Sequence, residues 1–236
     1  MKTIKAIILL FGISICVFSC RQSSKSITEE ASADSIKINM ENDSRIKLGL
    51  VEVRIINQIW SKLNLNVSVF RNGDSIPEAR TEEEWDAAGK QGKAAWCYYS
   101  NDPSNGTKFG KLYNWFAVND PRGLAPLGWH IPSDAEWKLL IKNMGGERYA
   151  KEKLKSTTGW NINCNGTNIS GFTALPSGYR TDAGPFHYVG GNSSYWSTTV
   201  SGPRSAWDRY LSCAISDVTR YGTEMEDGLS VRCVKD

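Results

Sequence analysis

The feature that most constrains the fold of this chain is a helix start at Ser133, which follows a turn-rich segment. Ser133 and Glu136 have the spacing of a capping box, in which each side chain accepts a backbone N–H of the other residue. Thr81 and Glu84 repeat this spacing, and a tryptophan directly follows each glutamate. The predicted helices run to about Lys90 and Met144, and a weaker helical segment covers residues 147–155.

Short segments separated by turn residues make up most of the remaining chain. Strands are predicted at residues 46–57, 195–199, 206–213 and 229–235. Asn-Asp-Pro occurs at Asn101 and again at Asn119, and each copy predicts a turn. Two helices followed by many short strands are typical of an α+β fold, with the helices segregated from an antiparallel sheet.

The N-terminus has the pattern of an export signal over residues 1–19, with two lysines before an apolar run. The run is shorter than the roughly 20 apolar residues that a membrane span needs. Ser19 directly precedes Cys20, which resembles a bacterial lipobox with Cys20 as the lipidated residue. The alternative is an ordinary cleaved signal peptide. We expect a lipid-anchored protein of the bacterial cell envelope, in the outer membrane, on a face that the sequence does not specify.

Composition divides the remaining chain into a tether and one domain. Residues 20–44 are polar and contain no aromatic residue, so they predict a flexible tether. All nine tryptophans lie in residues 45–236, a length that suits a single core. Without the two signal lysines, 26 basic residues face 25 acidic ones, which argues against a nucleic-acid partner.

Four cysteines fall in the predicted domain: Cys97, Cys164, Cys213 and Cys233. They allow three disulfide connectivities, and their spacing does not choose among them. No Cys-x-x-Cys pair occurs, so a zinc knuckle is not expected. The Asn-Asp-Pro oxygens are the type that calcium binds, but calcium needs six to eight convergent ligands, so turns are favoured. We expect neither a metal nor a cofactor.

Catalytic groups are few, and we expect no enzyme. His130 and His187 are the only histidines. We expect His130 to be a packed, hydrogen-bonded core residue and His187 to lie on the surface. No Gly-x-Ser-x-Gly nucleophile motif occurs. The acidic run Glu82–Glu84 lies in a predicted first helical turn, where acidic side chains favour the helix dipole.

Several motifs occur in a fixed order along residues 50–236. They are Asn57-Gln58-Ile59-Trp60, Ala95-Trp96-Cys97-Tyr98-Tyr99, Gly110-Lys111-Leu112-Tyr113-Asn114-Trp115, residues 123–137, residues 171–180, Tyr195-Trp196-Ser197 and Ser230-Val231-Arg232-Cys233-Val234. In this order they resemble the Fibrobacter succinogenes major paralogous domain family of bacterial surface and secreted modules. This resemblance implies a C-type-lectin-like fold with two helices, two sheets, paired terminal strands and a loop-rich ligand face.

The resemblance also bears on the cysteines. Cys164 and Cys213 are unusual for the family, which suggests that they pair with each other and leave Cys97 for Cys233. The alternative is one or two free thiols. Because the lectin-like fold includes the formylglycine-generating enzyme, a copper-dependent cysteine oxidase using Cys164 and Cys213 is a second functional hypothesis. A purely structural envelope lipoprotein is a third.

A binding surface is predicted on the strand at residues 206–213. Side-chain alternation puts Trp207, Arg209 and Leu211 on one face. The resemblance assigns Trp207 and Leu211 to the core, which leaves the other face exposed to a protein or glycan ligand. It also suggests that residues 206–227 are a genetically diversified patch. The candidate ligand-binding residues are Asp208, Tyr210, Ser212, Asp217, Thr219 and Tyr221.

Overall fold

The computed structural model describes residues 50–236, so the predicted signal peptide, Cys20 and the tether lie outside the described residues. Residues 50–236 adopt an α+β fold with small antiparallel sheets and few helices. The first sheet consists of four strands, β1 (Glu52–Ile55), β2 (Gln58–Ser61), β5 (Trp129–His130) and β11 (Val234–Lys235). Their order in the sheet is β1-β2-β11-β5. Val234 pairs with Trp60, so the implied pairing of terminal strands is present.

Both predicted capping boxes are confirmed. The Glu84 N–H donates to Thr81 Oγ1 at 3.1 Å, and the Glu136 N–H donates to Ser133 Oγ at 3.3 Å. Each glutamate carboxylate accepts the N–H of its cap residue. The helices that follow are α1 (Glu82–Lys90) and, later in the chain, α4 (Asp134–Asn143). The weaker predicted segment is also helical, as α5 (Glu147–Leu154).

Two short helices were not predicted, α2 (Ser104–Phe109) and α3 (Trp115–Val118). The first Asn-Asp-Pro turn leads into α2, because Asp102 Oδ1 accepts the Ser104 N–H at 2.9 Å. Asn114 caps α3 by accepting the Ala117 N–H at 3.1 Å. Every helix in the described part of the chain is too short or too polar to cross a membrane.

The strands outside the first sheet are β3 (Trp96–Cys97), β4 (Leu112–Tyr113), β6 (Tyr179–Arg180), β7 (Phe186–His187), β8 (Asn192–Gly202), β9 (Ser205–Ser212) and β10 (Gly222–Glu224). A second sheet, with strand order β10-β9-β8, forms one side of the candidate site. Its antiparallel strands β8 and β9 set Asn192 opposite Ser212 and Trp196 opposite Asp208. The remaining four strands form two small two-stranded sheets, β3-β4 and β6-β7.

An aromatic cluster joins the first sheet to α4 and the second sheet. Trp60 and Trp137 lie 4.7 Å apart between ring centroids, and Phe172 lies 5.6 Å from Trp60. Tyr195 of β8 packs against both Trp137 and Phe172. Because all four rings are buried, this cluster fixes where β8 and its neighbour β9 lie relative to α4.

The predicted disulfide between Cys164 and Cys213 is confirmed. The predicted pairing of Cys97 with Cys233 is wrong, since both are free, buried thiols within residues 50–236. The reason is that they belong to different core clusters: Cys97 packs with Trp85, and Cys233 packs in another cluster. Burial raises the pKa of each thiol to about 12, so both stay protonated at neutral pH.

Candidate functional site

His130 lies at the surface rather than in the core, which corrects part of the prediction for this residue. Its side chain is 39 % exposed. Its Nε2 lies 2.6 Å from Glu136 Oε1, and its Nδ1 lies 2.7 Å from Asp236 Oδ1. Burial lowers the pKa of His130, but the hydrogen bonds to the two carboxylates outweigh this and raise it overall. His130 therefore links the start of α4 to the C-terminal residue.

The main candidate site is a cavity of about 620 Å³ between β9 and the loops beside β8, here called the tyrosine cavity. Its aromatic lining consists of two tyrosine pairs. The rings of Tyr210 and Tyr221 lie 5.6 Å apart, and those of Tyr179 and Tyr188 lie 6.0 Å apart. His187 packs against the second pair, 5.5 Å from Tyr179 between ring centroids.

Four of the six predicted site residues line this cavity: Asp208, Tyr210, Ser212 and Tyr221. The other two, Asp217 and Thr219, are not part of the lining. The Thr219 N–H donates to the Tyr210 carbonyl at 2.9 Å, so Thr219 supports the wall through its backbone. The Ser216 hydroxyl lies 3.1 Å from an Asp217 carboxylate oxygen.

The exposure predicted for the β9 face is wrong for Asp208 and Ser212, which are 2 % and 4 % exposed. β9 is the central strand of its sheet, and the chain from Cys213 to Tyr221 folds back beside it. Both side chains therefore lie on the floor of a cavity instead of an open face. On the other face Leu211 is fully buried, as predicted, but Trp207 is only half-buried.

Two carboxyl groups in the tyrosine cavity titrate near neutrality. Burial raises the pKa of Asp208 to about 7, although the Tyr221 N–H donates to it at 3.0 Å. Burial also raises the pKa of Asp227 to about 7, although the Asp182 N–H donates to it at 2.7 Å. At mildly acidic pH both groups are neutral and can donate as well as accept hydrogen bonds.

Asn192 is one of the site residues that sequence reasoning missed. It lines the tyrosine cavity, is 1 % exposed, and has no hydrogen-bond partner for Oδ1 or Nδ2 among residues 50–236. Tyr179, Tyr188 and Asp227 were missed as well. No periodic pattern joins these residues, because they come from separate loops and strand ends. The one local signal was the aromatic run at residues 186–188.

Among residues 50–236, no group of three or more His, Cys, Asp or Glu side chains converges to form a metal site.

The fold and the cavity define a class of protein, in which an α+β domain has a tyrosine-rich pocket between loops and a small sheet. The chain belongs to the Fibrobacter succinogenes major domain family, whose profile matches residues 53–235. No curated protein and no solved structure matches the chain.

Proposed function

We propose that this protein is a lipid-anchored binding module of the bacterial cell envelope and that it recognises a glycan in the tyrosine cavity. The observation that carries the proposal is the Asn192 amide, which is buried at the cavity with both of its polar atoms unpaired. Leaving such a group without a partner costs about 1–3 kcal/mol in a folded protein. A ligand that pairs with the amide would offset this cost.

Glycan chemistry suits this cavity for two reasons. An amide offers one acceptor and one donor group side by side, which matches a pair of sugar hydroxyls. Tyrosine rings such as Tyr210 and Tyr221 supply flat apolar area against which the C–H face of a sugar ring can pack. The cavity volume of about 620 Å³ lies within the usual range for small-ligand sites, about 300–1,000 Å³.

A C-type-lectin-like fold is part of this proposal. Supporting it are the pairing of β11 with β2, the two main helices, and the division of the strands between separate small sheets. Envelope anchoring through Cys20 is supported by the lipobox-like sequence and by the polar residues that follow it.

Genetic diversification of residues 206–227 is a further element of the proposal. Asp208 and Ser212 are buried, whereas Tyr210 is half-buried and Tyr221 is 43 % exposed on the cavity wall. Variation at the two tyrosines would change the ligand surface and leave the strand core intact. A near-identical template repeat that differs only at adenines, close to the gene, would support this idea. If no such repeat and no reverse transcriptase occur there, the idea fails.

The alternative of a cysteine oxidase has weaker support. Cys164 and Cys213 form a disulfide, and the remaining described thiols are buried with a pKa of about 12. We favour binding over catalysis for that reason. A protein ligand remains the second candidate because tyrosine-rich surfaces also recognise proteins.

A glycan array probed with the full chain tests the proposal. Tyr210→Ala is expected to abolish binding, because it removes an aromatic wall. Tyr149→Ala removes a tyrosine that is 64 % exposed and lies outside the cavity, so it should bind like the wild type. Binding only to surface proteins would replace the glycan by a protein ligand. Binding to neither, or equal loss in both variants, would leave the structural envelope role.

A further inference from the structure

A second cavity of about 550 Å³, here called the basic cavity, lies on the other side of β9. Four cationic side chains line it: Lys138, Lys142, Arg209 and Arg220. Since neighbouring side chains of a strand point to opposite faces, Arg209 points away from the tyrosine cavity that Asp208 and Tyr210 line. The two cavities are therefore separate sites on one strand.

A single buried carboxylate, Asp134, holds three of these cations. Asp134 Oδ1 accepts from Arg209 Nη2 at 2.6 Å and from Arg220 Nε at 2.8 Å. Lys138 Nζ lies 2.8 Å from Oδ2. Burial raises the pKa of Asp134, but the hydrogen bonds from Arg220, Lys138 and Arg209 hold it well below its usual range. One negative charge cannot neutralise three positive charges.

The charged side chains around the basic cavity do not balance. Lys142 lies one helical turn after Lys138 on the same face of α4, and Glu147 is the one acidic side chain in the lining. Four cations thus face two carboxylates, Asp134 and Glu147, which leaves two positive charges in excess. Burial lowers the pKa of Arg209, and the charge of Arg220 adds to the lowering. An anion bound in the basic cavity would relieve this repulsion.

The geometry of the cations is fixed by the surrounding structure. The Arg220 guanidinium stacks on Trp207, 3.2 Å from the ring centroid, while it pairs with Asp134. Arg209 is 1 % exposed and also donates to the Asp208 carbonyl at 2.8 Å. At the cavity edge, α5 begins after Gly146 with no side-chain cap, so the positive end of its dipole adds to the same field.

We propose that the basic cavity binds a phosphate monoester. A phosphate monoester carries about two negative charges at neutral pH, which equals the excess positive charge, whereas a carboxylate carries one. Guanidinium and ammonium groups that approach from a helix, a strand and a loop suit the separate oxygens of a tetrahedral group. The carrier is a soluble phosphate compound, such as a phosphosugar, or a lipid headgroup.

Calorimetric titration of the full chain with sodium phosphate tests the proposal, with ionic strength held constant by sodium chloride. We expect saturable binding that weakens about tenfold in Arg220→Gln and about threefold in Lys142→Gln. Lys142→Gln leaves every Asp134 pair in place, so it tests the site even if Arg220→Gln folds poorly. Lys93→Gln removes an exposed lysine far along the chain from this cavity and serves as the control.

Two further titrations identify the carrier. One uses glucose 6-phosphate, and the other uses phosphatidylcholine vesicles with and without phosphatidic acid. Lys142-dependent binding of either compound supports the proposal and assigns a soluble or a lipid source. The proposal is overturned if no phosphate compound binds saturably, or if Lys93→Gln weakens binding as much as Lys142→Gln. Tyr210→Ala should leave phosphate binding unchanged, which separates this site from the tyrosine cavity.

Discussion

The imidazole of His130 and the carboxylate of Glu136 meet at 2.6 Å, so one glutamate serves both the histidine and the cap of α4. Its other oxygen, Oε2, accepts the N–H of Ser133 at 2.8 Å. Burial raises the pKa of Glu136, but hydrogen bonds from Ser133 and His130 lower it overall. The helix start is thereby tied to β5, because His130 belongs to that strand.

The pH dependence of stability tests this link. The folded state raises the pKa of His130, so its contribution is complete below the unfolded pKa of about 6.5 and disappears as pH rises through the folded pKa. We expect His130→Gln to lower the free energy of unfolding by at most about 1 kcal/mol near pH 5.5, because the site is partly exposed. Near pH 9 the loss should vanish.

Urea unfolding at the two pH values measures this difference. His187→Gln is the matched control, since His187 packs against tyrosine rings rather than between carboxylates. An equal loss at both pH values in His130→Gln would mean that the histidine acts through packing alone. Ligand binding in the tyrosine cavity should be unchanged by His130→Gln below the melting transition.

The unpaired amide of Asn192 predicts a conflict between stability and binding. Asn192→Leu replaces a buried, unsatisfied group with an apolar side chain of similar size. We expect it to raise the free energy of unfolding by about 1–3 kcal/mol and to abolish glycan binding. Denaturant unfolding and the glycan array measure the two effects.

Asn114→Leu provides the contrast for that experiment. Asn114 is equally buried, but its Oδ1 accepts the N–H groups of Ala95 and Ala117, and its Nδ2 donates to the Lys93 carbonyl. The same substitution there should lower stability by about 2 kcal/mol or more. If Asn192→Leu lowers the free energy of unfolding as much as Asn114→Leu does, the Asn192 amide has a structural role and not a ligand-binding one.

The buried carboxyl of Asp208 predicts that stability falls as pH rises, in the same direction as for His130. Its folded pKa is about 7, well above the unfolded value of about 3.9. Between these values the folded state binds more protons, so the free energy of unfolding falls as pH rises. Asp208→Asn should therefore stabilise the protein by roughly 2–4 kcal/mol near pH 8 and by almost nothing near pH 4.

Thermal and urea unfolding across this pH range test the Asp208 prediction. The charge of Asp227 helps to raise the pKa of Asp208, so the difference between the two curves reports Asp208 together with its interaction with Asp227. Asp217→Asn is the control and should shift stability by less than about 0.5 kcal/mol. A constant difference at all pH values would contradict a titrating buried carboxyl.

The cysteines predict a specific labelling pattern. Alkylation of the native protein should leave Cys97 and Cys233 unmodified, because both are buried and protonated. Denaturation alone should expose these two, and Cys164 and Cys213 should react only after reduction. Peptide mass spectrometry identifies which cysteines are labelled, and a Cys97–Cys233 bond would contradict the structure.

The Cys164–Cys213 disulfide links positions that are 49 residues apart. Loss of this disulfide should lower the free energy of unfolding by about 3–4 kcal/mol.

Local sequence patterns determined the parts of the fold that depend on near neighbours. The capping boxes at Ser133 and Thr81 specified two helices, because cap and glutamate lie only three residues apart. Strand alternation correctly placed Asp208, Tyr210 and Ser212 on one side of β9, and all three line one cavity. Helix α2 was missed because its start depends on one Asp102 side chain within a Pro turn.

Long-range contacts decided what local patterns could not. Burial of Asp208, the separation of Cys97 from Cys233, and the meeting of Asn192 with Tyr210 all depend on segments that pack together from distant parts of the chain. Sequence alone therefore determined the family from its ordered motifs. It also determined the starts of α1 and α4 and the side-chain alternation of β9, because these depend on short spacings. Only the tertiary structure decided that a predicted open face lines a cavity and that a predicted core histidine is partly exposed.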